Sequence, residues 1–89
     1  MVSEKNEENP DEIKKTIRIG IEELQNTYNV KQNPMIQELR ADLASNIGIM
    51  YNKLNNFEQA KHYLQLALVE YGKLDIKQKI AAVKGSLGA

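Results

Sequence analysis

Apolar residues recur along this chain at three- and four-residue steps, in four separate runs. The first comprises Ile13, Ile17, Gly20/Ile21, Leu24 and Tyr28, and the second Ile36, Leu39, Leu43, Ile47, Met50/Tyr51 and Leu54. The third runs through Phe57, Ala60, Leu64, Ala67, Leu68 and Tyr71, and the last through Ile76, Ile80, Val83 and Leu87. Such spacing puts one apolar face on each of four helices. The polar breaks between the runs are short, so neighbouring helices form antiparallel hairpins. The expected fold is all-α.

Boundary signals agree with the periodicity. Asn9-Pro10-Asp11-Glu12 supplies a cap, a proline for the first turn and two acids for the positive end of the helix dipole. Asn33-Pro34 repeats the signal, and Asn55-Asn56 ends the second run. Gly72 is expected to cap the third helix. Asp75, with Gln78 three residues on, is expected to open the fourth as a capping box. Residues 1–9 form an acidic tail expected to be disordered, leaving 10–89 as the helical domain.

Small residues mark where helices meet closely. Gly48 in the second helix and Ala60 and Ala67 in the third predict a tight hairpin over Ala44–Leu68, with Tyr51 and Phe57 filling space near its turn. An offset of 40 residues also aligns the chain with itself. Gly20 falls on Ala60, Leu24-Gln25 on Leu64-Gln65, Ile36 on Ile76, Ala41 on Ala81 and Leu43 on Val83. A period of this length built from helix pairs is the mark of a helical solenoid.

These positions resemble the tetratricopeptide repeat, whose first helix reads W-x2-L-G-x2-Y and whose second carries A-x3-F. Here Ala44-x2-Ile47-Gly48-x2-Tyr51 and Ala60-x3-Leu64-x2-Ala67-Leu68 fill those places. Ala44 stands for the aromatic, and Gly72 stands where the family often has proline. One full repeat, about 41–74, is flanked by half repeats. The long period is similar to that of Leu-Gly-Asn repeat adaptors and of bacterial Rap-type peptide-sensing regulators.

The resemblance implies a concave groove, lined by the first helix of each pair, that holds a peptide or a partner helix. Carried onto this chain, the groove positions are Asp42, Ser45, Ile49, Asn52 and Lys53, with Ala82, Gly85 and Ala89 from the next helix. These lie off the Leu43/Ile47/Met50 stripe. Ser45 and Ile49 stand where chaperone-binding members have a carboxylate clamp, which argues against chaperone tails as ligands. A regulator would be favoured by a DNA-reading helix-turn-helix before the repeats, and residues 1–33 contain none.

Composition narrows the partner classes. With no Cys and one His, neither a disulfide framework nor a metal site of ordinary spacing is available, and no cofactor is expected. No apolar run approaches the ~20 residues of a membrane helix, so a cytoplasmic protein is expected. Formal charge is zero but uneven, with −4 over residues 1–12 and +4 over the remainder. Its lysines are scattered, which argues against nucleic acid. His62 falls away from the apolar stripe, Glu22-Glu23 diverge on the helix, and the serines lack a nucleophile elbow. No enzyme is expected.

Met1 and the acidic tail read as a start, so any continuation is expected beyond Ala89. A fourth helix ending there would leave Ile80, Val83 and Leu87 uncovered. Self-association as a homodimer, or membership of a longer repeat array, is therefore expected.

Overall fold

A computed structural model of the chain describes residues 9–88. Four helices follow in order: α1 (Pro10–Asn26), α2 (Pro34–Lys53), α3 (Phe57–Leu74) and α4 (Lys77–Gly88). The fold is all-α, with no strand among the described residues. The acidic tail up to Glu8, and Ala89 of the expected groove, lie outside the described residues.

Three asparagines start three helices. Asn9 accepts from the Asp11 N–H at 2.8 Å, Asn33 from the Ile36 N–H at 2.9 Å, and Asn56 from the Gln59 N–H at 3.5 Å. Each satisfies one of the N–H groups that a helix start leaves without an intrahelical partner. Pro10 and Pro34 occupy first-turn positions, where a missing N–H costs nothing.

Helices α2 and α3 end alike. Asn55 and Asp75 adopt left-handed backbone, with φ of 62° and 57°. The N–H after each bonds five residues back, Asn56 to the Tyr51 carbonyl at 2.9 Å and Ile76 to the Tyr71 carbonyl at 3.2 Å. This is the Schellman closure. Both ends carry the string Tyr-x-Lys-Leu-Asn/Asp, at 51–55 and again at 71–75. Two expectations are corrected here. Gly72 lies inside α3, and Asp75 closes α3 rather than opening α4. An Asx residue tolerates left-handed backbone, and Ile76 packs against the cluster that holds Tyr71, so the turn sits beyond the glycine.

Helix α2 is buried on two faces. Ile47 joins Ile13, Ile17 and Leu24 of α1 in one cluster. Ala41 and Ala44 join Leu64, Ala67, Tyr71 and Val83 in another, which draws on α3 and α4. The expected α2 stripe is thus only half right. Its small-residue face forms the deeper core, while Leu39 stays 46% exposed. Phe57, expected to fill the turn, is 63% exposed. Tyr51 instead stacks on Tyr63, with ring centroids 5.8 Å apart.

The α2–α3 approach is closest at Gly48. A Cβ there would lie 2.6 Å from Leu64 Cγ and 3.0 Å from the Ala60 carbonyl oxygen. Both atoms are held in the core, so neither can give way cheaply. A polar clasp fixes the other end of the hairpin. Buried Arg40 donates from Nε to Thr27 Oγ1 at 3.1 Å and from Nη2 to the Thr27 carbonyl at 3.0 Å. Nη2 also donates to Gln32 Oε1, and the guanidinium carbon lies 4.1 Å from the Tyr28 ring centre. Its Nη1 stands 3.8 Å from Glu70 Oε1 on α3. One α2 side chain therefore ties the α1–α2 connection to α3.

The glycines give a paired prediction. Gly48→Ala should lower stability by about 1–3 kcal/mol through overpacking, although alanine is the better helix former. At Gly85 a Cβ would meet nothing within 4 Å, so Gly85→Ala should raise stability by up to ~1 kcal/mol. Urea midpoints of the two variants test this, and a stabilised Gly48→Ala would contradict the close approach.

Candidate interaction surfaces

The expected groove residues do not share one environment. Asp42 is held within the fold: Tyr71 donates its hydroxyl proton to Oδ1, and Lys79 Nζ lies 3.1 Å from the same oxygen. Lys79 also reaches Glu38 Oε2 at 2.6 Å. This cluster stitches the first half of α2 to the end of α3 and the start of α4. Ser45, Ile49 and Asn52 are half-buried, whereas Lys53, Ala82 and Gly85 are exposed.

Of that set, Asn52 alone lines a hollow among the described cavities. Phe57, Lys61, Leu64 and Gln65 of α3 and Ser86 and Leu87 of α4 complete its walls, and it encloses about 530 Å³. Lys79 in the first turn of α4 meets Glu38 and Asp42 in the first half of α2, and the hollow lies towards the other ends of the two helices. Sequence reasoning missed Phe57, Lys61 and Gln65 as a set. Their signal was present: at four-residue steps they form one outward row on α3.

The expected self-association stripe is corrected. Val83 is 3% exposed and belongs to the core with Leu64 and Ala67, and Ile80 and Leu87 pack half-buried against that cluster. Helix α4 turns this stripe inward onto α3, because α3 offers apolar surface on the side that α2 leaves open.

A second apolar surface was not expected at all. Along the α1–α2 seam two hollows of about 200 and 350 Å³ adjoin, sharing Glu23 and Leu43. Ile19 and Gly20 line one, and Val30, Ile36 and Leu39 the other. Ile19, Val30 and Leu39 are each close to half exposed. Ile19 falls outside the α1 stripe, and that displacement was the signal.

Electrostatics concentrate at the Asp42 cluster. Burial, then the hydrogen bond to Asp42 and the charges of Asp42 and Glu38, push the Tyr71 hydroxyl well above its ordinary value. Hydrogen bonds to Glu38 and Asp42 raise Lys79. His62 is exposed and meets the Tyr63 ring edge-on at 5.0 Å. Among the described residues no group of three or more His, Cys, Asp or Glu side chains could hold a metal ion. No described helix is long and apolar enough to cross a membrane. Comparison with protein-family models, with curated proteins and with solved structures gives no match.

The raised Tyr71 has a defined alkaline signature. Above about pH 10 an unfolded tyrosine ionises while folded Tyr71 keeps its proton. The stability this contributes is therefore complete below pH 10 and declines as pH rises through the folded value. Tyr71→Phe should lower stability at pH 7, and its loss of stability between pH 10 and 11 should be shallower by up to ~1.4 kcal/mol per pH unit. Parallel slopes in urea unfolding would remove Tyr71 as the cause.

Proposed function

We propose that this chain is a non-catalytic protein-interaction module of tetratricopeptide-like repeat type, holding an extended peptide in the hollow between α2, α3 and α4. A cytoplasmic location belongs to the same proposal. The observation that carries it is the lining of that hollow. Asn52 and Gln65 each bring an amide with donor and acceptor, which suits a peptide backbone. Lys61 offers a cation, and Leu64, Leu87 and exposed Phe57 offer apolar surface. Its volume lies within the range of ordinary binding pockets. The favoured ligand pairs an acidic residue with a neighbouring apolar one. Asp42 is excluded from the binding set because Tyr71 and Lys79 already engage it.

Selection from a displayed library of short peptides tests this. Selected sequences should carry the acidic–apolar pair, and their titration should shift the amide resonances of Lys61, Gln65 and Ser86. Asn52→Ala combined with Gln65→Ala should weaken binding by about tenfold or more without lowering the melting temperature. Equal binding by that variant, or shifts confined to other residues, would rule the hollow out.

A further inference from the structure

The seam between α1 and α2 has a counterpart inside the molecule. One period of 40 residues on, Gly20, Glu23 and Thr27 correspond to Ala60, Tyr63 and Ala67 of α3, and Leu39 and Leu43 to Lys79 and Val83 of α4. Three of the later residues contact α2 directly, and the other two share a buried cluster with it. The Ala60 carbonyl abuts Gly48, Tyr63 stacks on Tyr51, and Lys79 pairs with Glu38 and Asp42. Ala67 and Val83 share a cluster with Ala41 and Ala44. At these five positions the open seam aligns with the surface that seats α2 one period later.

Helix α4 is the stretch that aligns with α2 at the same offset. The α2 residues turned toward α3, Ala41 and Ala44, correspond to Ala81 and Lys84. Both are exposed, and beside them the Cβ position of Gly85 faces open space. The opposite face of α4 is already used, through Val83, against α3. Charge agrees with the fit. Glu23 is the one charged side chain among the residues lining the seam, whereas α4 carries exposed Lys77 and Lys84 and no acid.

We propose that α4 of a second copy occupies the α1–α2 seam, joining copies head to tail. The two contacting surfaces differ, so the contact is heterologous and one copy's seam stays open for the next. Association of this kind grows as an open chain and does not stop at a dimer. It uses neither Asn52 nor Gln65, so it stands or falls separately from peptide capture.

Sedimentation velocity and light scattering on the full chain, up to about 1 mM, provide the test. The mean mass should climb with concentration past that of a dimer. Leu39→Glu blocks the seam and Ala81→Glu blocks α4; both sites are exposed, so both variants should melt like the parent. Each alone should be monomeric. An equimolar mixture should form a one-to-one dimer and stop, because one intact seam meets one intact α4. A parent that stays monomeric, a parent that plateaus at a closed dimer, or a mixture that fails to pair would each overturn the proposal. If a variant fails to fold, the concentration dependence of the parent still decides.

Discussion

The constraint on which this fold rests is the missing side chain at Gly48. With Leu64 and the Ala60 carbonyl already against the α2 backbone, even one methyl group would push the two helices apart. Everything else takes its position from that spacing. Ala41, Ala44 and Ala67 can be fully buried because the helices run close enough to cover them. Tyr71 then reaches Asp42, and α4 finds Tyr71, Leu64 and Ala67 assembled as a floor for Val83. The α2–α3 contact is built from small residues in close approach, which suits a chain with one Phe and no Trp.

Arg40 imposes a constraint of a different kind. An uncompensated buried guanidinium is costly, so its position is tolerated only with its partners in place. Thr27, Gln32 and Glu70 supply oxygens and Tyr28 a ring face. These partners come from the α1–α2 connection and from α3. The clasp thus fixes a loop that has little apolar surface of its own. The pairing is not ideal, since Glu70 Oε1 is buried and lacks a hydrogen bond. Its contribution is orientation of the connection more than net stability.

How much of this was legible follows from what local chemistry encodes. The asparagine caps, the prolines and the Gly48–Ala60–Ala67 spacing are local signals, and the helices and their tight hairpin appear where they point. Leu39 and Phe57 were misread as core, because periodicity identifies an apolar face without saying whether a neighbour covers it. Val83 was misread in the opposite sense, for the same reason. Asp75 misled because one side chain both caps helix starts and tolerates left-handed backbone. The Arg40–Glu70 pair joins residues thirty positions apart, and nothing in the local pattern links them. Of the hollow, only Asn52 and Leu87 were expected on a binding surface, and on different ones. The row of Phe57, Lys61 and Gln65 was visible but had no partner helix to give it meaning.

The order of contacts has a kinetic consequence. Among the described helices, the main packing joins each to the next along the chain: α1 to α2, α2 to α3, α3 to α4. Each docking event therefore closes only a short loop, at a small entropy cost. Chains dominated by such local contacts fold quickly. The α2–α3 hairpin, with its Schellman turn and close Gly48 contact, is the natural nucleus, and the outer helices add to it from either side. A topology of this type spends little time with apolar surface bare during folding, even though the finished α1–α2 seam keeps some of it in view.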